Sequence, residues 1–130
     1  MDKEEKKERK IVLVEDDSLM SSILAAHLIK EGFNIISVTE GAQAFERIQA
    51  EQPNIVLLDI VLPGIGGFDI LAKLKQDEST KSIPVLILSN LGSKEEIQRG
   101  IELGAEDYLV KANSMVEEIT GKIQKILERR

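Results

Sequence analysis

Four stretches of this chain set chemically capable side chains directly after apolar runs. "KIVLVEDD" ends in Glu15, Asp16 and Asp17, and "NIVLLDIVLPGIGG" delivers Asp59 after Ile55-Val56-Leu57-Leu58. "IPVLILSN" ends on Ser89 and Asn90, and "AEDYLVK" on Lys111. A carboxylate at the tip of a buried strand neutralises, pairs or binds a metal, because an unpaired buried charge costs several kcal/mol. Clustered carboxylates raise one another's pKa unless a cation intervenes. Mg2+ suits them, since it takes hard oxygen ligands and keeps waters that a phosphate can replace. A lysine and a hydroxyl then suit phosphoryl oxygens, and a carboxylate left free at the centre is a nucleophile that forms an acyl phosphate.

Each signal alone has a blander explanation. Asp17 and Ser18 also suit the N-terminus of a helix, where such residues cap free N–H groups. Ser89 alone suits a turn, and a lone lysine at a strand end is usually solvated. Their joint placement carries the argument, and it requires a scaffold that brings strand ends together.

The hydrophobic pattern supplies that scaffold. Continuous apolar runs in "KIVLV", "FNIISV", "IVLL", "VLILS" and "DYLV" alternate with helical spacings in "SLMSSILAAHLIKEG", "GAQAFERIQAEQ", "GFDILAKLKQDE", "SKEEIQRGIELG" and the C-terminal segment marked by Met115, Ile119, Ile123, Ile126 and Leu127. In the first helix the apolar stripe is expected through Leu19, Ile23, Leu24, His27 and Leu28. Ser93 and Glu96 predict a capping box. Five buried strands, each followed by a helix, imply a parallel sheet covered on both faces, a three-layer α/β/α sandwich. The carboxyl ends of such strands open on one edge, where ligands bind.

Composition narrows the function. The chain has 130 residues, enough for one domain with a sizeable core. It carries a formal net charge of -6 and 3% aromatic residues, which argues against direct nucleic-acid contact. It has no cysteine, so disulfides and thiolate metal sites are excluded, and a cytoplasmic location is expected. Residues 1–9 alternate acids and bases without an apolar face and are expected as a disordered charged tail before a domain over 10–130. His27 is the only histidine and is expected to be partly buried within its helical stripe.

The ordered set "IVLVEDDSLM", "VLLDIVLPGIGG", "VLILSN" and "GAEDYLVK" resembles the receiver domains of two-component response regulators, over about residues 10 to 128. The resemblance implies a flavodoxin-like sheet of order 2-1-3-4-5 with five helices, like single-domain chemotaxis receivers. It implies that Asp59 accepts a phosphoryl group from a sensor histidine kinase or a histidine phosphotransfer protein. Asp16 would be the direct Mg2+ ligand, with Mn2+ as an alternative ion. Glu15 would reach the metal through water, Asp59 would join it as a ligand, and the backbone carbonyl of Val61 would complete the protein set. Ser89 would be the switch hydroxyl and Lys111 the phosphoryl-contacting lysine. Tyr108 would be the aromatic that turns inward on activation, remodelling the surface of the fourth helix, fifth strand and fifth helix. The chain would be no enzyme in the ordinary sense, though it would catalyse its own phosphoryl transfer and autodephosphorylation.

Three positions depart from the family pattern. Ala112 follows Lys111 where proline is frequent, and a trans bond is expected because a non-proline cis bond costs about 3 kcal/mol. Asn90 stands where a small residue is common, and Gly66 leaves a weak start to the third helix. Gly100 and Gly121 fall inside helices, each at a cost of about 1 kcal/mol relative to alanine. The competing functions are a pseudo-receiver that binds partners without phosphorylation, a haloacid-dehalogenase-like enzyme and a mononucleotide binder. The second would need an Asp at position 61, which is valine, and the third a glycine-rich cradle where this chain has acids. With "QKILERR" closing the last helix, the chain is expected as a single-domain regulator that docks on a protein partner, as an excised receiver, or as one subunit of a dimer. The expected form is a monomer that associates weakly when phosphorylated.

Overall fold

The structure, a computed structural model, describes residues 1–111, 114 and 116–129. Its strands are β1 (Lys10–Val14), β2 (Asn34–Val38), β3 (Ile55–Leu58), β4 (Val85–Ser89) and β5 (Asp107–Val110). They form one parallel sheet of order β2-β1-β3-β4-β5, as expected from the resemblance. The helices are α1 (Lys3–Lys7), α2 (Ser18–Lys30), α3 (Gly41–Glu51), α4 (Gly67–Gln76), α5 (Lys94–Glu102) and α6 (Val116–Glu128).

The strands are apolar throughout because both faces of the sheet are covered, and alternate residues feed two separate cores. Val12, Val14, Val56, Leu58, Val85 and Ile87 join Ala44, Ile48, Ile70, Leu71 and Leu74 of α3 and α4 on one face. Ile11, Leu13, Ile55, Leu57, Leu86 and Leu88 join Leu24 and Leu28 of α2 and Ile119 and Ile123 of α6 on the other. Burial of this kind is worth roughly 25 cal/mol per Å² of apolar surface, and it fixes the strand tips that carry the acids.

The helix count differs from expectation, six among the described residues instead of five. The extra one, α1, lies in the segment expected as a frayed tail. Asp2 caps it by accepting from the Glu5 N–H at 2.9 Å, and Lys6 approaches Glu31 at 3.6 Å and the Phe33 ring at 5.6 Å. A five-residue helix is marginal alone. These anchors to the end of α2 hold it, and a local composition reading cannot see them.

The first-helix stripe also needs correction. Leu24 and Leu28 are buried, whereas Leu19 and Ile23 are 69% and 52% exposed. Since α2 is apolar on more than one side, its spacing does not identify the face that meets the sheet. His27 is half-buried, as expected. The capping box of Ser93 and Glu96 forms at α5, and Gly66 caps α4 without a side-chain hydrogen bond. The expectations for Ala112 and Met115 lie outside the described residues.

Candidate functional site

The sheet changes winding direction at β1, whose neighbours are β2 and β3, and the crevice beyond these strand tips is where open α/β sheets hold ligands. The ladder runs past the last formal strand residues into the acids. The Glu15 N–H donates to the Val38 carbonyl and the Asp59 N–H to the Val14 carbonyl, each at 3.0 Å. Both carboxylates are thus set on rigid backbone, and their residues are only 4% and 7% exposed. Asp16, between them and solvent, is exposed. Asp17 caps α2, accepting from the N–H groups of Leu19 and Met20 at 3.0 and 3.1 Å, so the bland reading of that acid is the correct one.

Lys111 reaches across from the end of β5. Its Nζ donates to Glu15 Oε2 at 2.8 Å and to Asp59 Oδ2 at 3.0 Å. The other Asp59 oxygen, Oδ1, accepts from the Val61 N–H at 3.1 Å. Gly67 makes this arrangement possible. Its N–H donates to the Ile60 carbonyl, and a Cβ there would collide with the Asp59 carbonyl oxygen and lie 2.5 Å from Ile60 Cα. The chain therefore folds back tightly behind Asp59.

The titration of the pair follows from this geometry. Burial pushes the Glu15 carboxyl up to about 7, helped by the hydrogen bond and negative charge of Asp59 and opposed by Lys111. Burial also acts to raise Asp59, but hydrogen bonds from Glu15, Lys111 and the Val61 N–H outweigh it and hold Asp59 below the usual carboxylate range. Burial alone would lower Lys111, yet its bonds to Glu15 and Asp59 raise it. The shared proton belongs first to Glu15, leaving Asp59 the ionised member.

The acids open on a cleft of about 550 Å³ lined by Glu15, Asp16, Asp17, Met20, Asp59, Val61, Asn90 and Lys111. One oxygen each from Glu15, Asp16 and Asp59 lies within 4.8 Å of the others. Three hard carboxylate donors facing one ammonium leave negative charge in excess, and that donor set fits a hard divalent cation. Val61 lines the cleft beside them.

Two expected participants stand behind this cleft. Ser89 is fully buried at the tip of β4, and its Oγ accepts from the Leu91 N–H at 3.3 Å. Tyr108 is 7% exposed, its ring within the core and its hydroxyl donating to the Leu91 carbonyl at 2.6 Å. Burial raises the Tyr108 phenol, Ser89 lowers it by a hydrogen bond, and the charges of Glu96 and Asp59 raise it further. Asn90 takes the place at the cleft that Ser89 does not reach. Met20 is a wall for which the sequence carries no signal beyond an apolar helical position one turn after the acids.

Comparison with known proteins agrees with this geometry. A sequence profile described as the response regulator receiver domain matches residues 11–124. The chain is 34% identical over 120 residues to the phosphate regulon transcriptional regulatory protein PhoB of Rhizobium meliloti, covering 92% of this chain and 52% of that protein. It is 32% identical to the DNA-binding dual master transcriptional regulator RpaA of a Synechocystis species, covering 92% of this chain and 49% of that one. The chain thus spans about half the length of the curated relatives it matches. Among solved structures, the BeF3-activated N-terminal receiver domain of Klebsiella pneumoniae RstA superposes with a TM-score of 0.85 at 32% identity, covering 92% of this chain and 98% of that one. A CheY-like receiver domain protein from Methanospirillum hungatei shares the fold with a TM-score of 0.86 at 22% identity, covering 93% and 94%.

Proposed function

Because this chain belongs to the response regulator receiver family, we propose that it is a phosphorylation-gated switch, with Asp59 as phosphoryl acceptor. The observation that carries the reading is the ammonium of Lys111 held between Asp59 and Glu15 at the floor of an acidic, solvent-open cleft. Asp59 is the ionised member of the pair, and its backbone and Oδ1 are already fixed by hydrogen bonds. Attack then needs little reorganisation.

A carboxylate oxygen of Asp59 attacks the phosphorus of a phosphohistidine. The P–N bond breaks as the P–O bond forms, and the imidazole leaves with its electron pair and takes a proton. Lys111 moves from Glu15 and Asp59 onto a phosphoryl oxygen. Bound Mg2+, or Mn2+, held by Glu15, Asp16, Asp59 and the Val61 carbonyl, would neutralise the charge that gathers on the transferred group. Ser89 reaches the phosphoryl group only when the 89–91 turn shifts. That turn carries the carbonyl that holds Tyr108, so the shift repacks the surface of α5, β5 and α6. The switch is a population shift between two packings. The same site would hydrolyse its own acyl phosphate, with no other substrate.

Upstream, the partner is a histidine kinase or phosphotransfer protein. Downstream, it is a protein that reads the α5–β5–α6 surface of a monomer or a weak, phosphorylation-dependent dimer. The expectation of no nucleic-acid contact gains no support from relatives named as transcriptional regulators. No helix among the described residues is long and apolar enough to cross a membrane.

Intact mass after incubation with acetyl phosphate and Mg2+ tests the reading. One added phosphoryl group is expected, absent in Asp59→Asn and absent when the metal is chelated. A folded protein that takes up Mg2+ but gains no mass would instead be a pseudo-receiver that signals by binding.

A further inference from the structure

Gly100 sits in the interior of α5, where glycine costs about 1 kcal/mol relative to alanine. The other interior helical glycine discussed above, Gly121, has open space where a Cβ would be. Gly100 does not. A Cβ there would lie 2.6 Å from Ile87 Cδ1, 3.0 Å from Tyr108 Cδ2 and 3.4 Å from Tyr108 Cε2. Ile87 and Tyr108 are register partners on β4 and β5, so both press on the same point of α5.

Something must yield if a methyl is added, and the surroundings decide what. Ile87 is 0% exposed and lies within the core cluster, where close packing resists a new rotamer. The helix is held by its capping box and by Arg99, whose guanidinium lies 4.4 Å over the Phe68 ring at the start of α4. Tyr108 is the group with an exit. It retains 7% exposure and is tethered only at its far end, where the hydroxyl donates to the Leu91 carbonyl and meets the Ser89 side chain.

We infer that Gly100 is the seat of the Tyr108 ring: the missing Cβ admits the ring beneath α5, and a side chain at this position turns it out to solvent. Gly100 is then a positioning residue that sets the balance between the two packings of the output surface. The link to output rests on reading Tyr108 as a switch residue, whereas the seat itself does not. Since phosphorylation is read as favouring the buried ring, a substitution that expels the ring must weaken binding of a phosphoryl mimic, by the reciprocity of coupled equilibria.

Tyr108 is the only tyrosine and the chain has no tryptophan, so its emission reports this one ring. The experiment measures acrylamide quenching of that emission, with far-UV circular dichroism, in the wild type, Gly100→Ala and Gly100→Ala/Ile87→Val. With the fold retained, Gly100→Ala is expected to raise the quenching constant several-fold. The double variant removes the atom nearest the new methyl and is expected to bring the constant most of the way back. Unchanged quenching in a folded Gly100→Ala protein overturns the inference. Loss of fold in both variants also overturns it, because the methyl would then act on the core instead of the ring. Should only Gly100→Ala unfold, the double variant decides: a constant near the wild-type value supports the seat, and one as high as that of free tyrosine overturns it.

A second arm titrates Mg2+ with beryllofluoride. Gly100→Ala is expected to bind about tenfold more weakly, within the usual range of allosteric couplings. No binding by the wild type would overturn the phosphorylation reading and leave the seat to be judged by quenching. Equal binding by both, with the ring expelled, would overturn the coupling and keep the seat.

Discussion

Each edge of the sheet uses a lysine that reaches across a gap between elements, and the two lysines differ in what accepts their protons. At the edge where strands begin, Lys75 of α4 donates to the carbonyls of Ile83 and Lys81 at 2.7 and 3.1 Å. Nearby, the buried Thr80 hydroxyl donates to the Leu74 carbonyl at 2.7 Å. At the edge where strands end, Lys111 donates to two carboxylates. Carbonyl oxygens carry no net charge and do not titrate, so these bonds are the same at any ordinary pH. The second changes with every proton, metal or phosphoryl group that arrives. One edge closes the fold, and the other is left adjustable.

Backbone clearance is the most severe constraint on the adjustable edge. Gly67→Ala sets a methyl against the Asp59 carbonyl and Ile60 Cα, which are main-chain atoms and cannot rotate away. Overpacking of this kind costs 1–3 kcal/mol, and against backbone the upper end applies, about 3 kcal/mol or more. Urea denaturation checks it. A loss below about 1 kcal/mol would mean that the turn behind Asp59 is free to open, and the adjustable edge would then be soft in its backbone as well as in its charges.

The two lysines can be set against each other directly. Lys75→Met removes two charge-assisted hydrogen bonds and should cost about 2 kcal/mol, equally at pH 5 and pH 8. Lys111→Met should cost about as much at pH 8, where it takes the ammonium away from two carboxylates, and clearly less at pH 5, where Glu15 already holds a proton. Denaturation at the two pH values reads the contrast. Parallel losses for the two variants would remove the distinction between the edges.

That distinction was only half legible in the sequence. The strands and their order of burial follow from runs such as Val85 to Leu88, because a parallel sheet covered on both faces needs unbroken apolar segments. Asp59 stands out for the same reason, as a charge breaking such a run. The closing edge left no comparable sign: Lys75 and Thr80 look like ordinary surface residues of a helix end and a turn, and the carbonyls they donate to are backbone atoms that no side-chain pattern encodes. Ser89 reads correctly as a strand-tip hydroxyl, but its position behind the cleft depends on the turn that follows. The role of Gly100 depends on two residues of other strands, so the local sequence shows only its propensity cost. The helix α1 is hidden likewise, since Glu31 and Phe33 lie far along the chain from Lys6.

The smallest expected effect is the most diagnostic, because its sign can be reversed. Glu15 titrates near 7 in the folded protein against 4.5 for the ordinary group. A carboxyl whose folded pKa is raised adds stability that is fully present below the unfolded value and is lost as pH rises through the folded one. Asp59, held low, acts only below its ordinary value of 3.8, so the interval from pH 5 to pH 8 isolates Glu15. Glu15→Gln removes the titration. Without metal, the variant should gain on the wild type from pH 5 to pH 8 by about 1 kcal/mol, kept small because the cleft mouth is wet and screens the pair. Saturating Mg2+ should invert the ranking at pH 8, because the wild type retains the carboxylate that favours the ion and is stabilised by its binding, whereas the variant has one of the three anionic donors replaced by a neutral amide oxygen. Urea denaturation at the two pH values, with and without Mg2+, reads all four corners of this comparison. Profiles that run parallel in every condition would mean that Glu15 is as inert as Thr80 at the other edge, and the charge of the cluster would then reside on Asp16 and Asp59 alone.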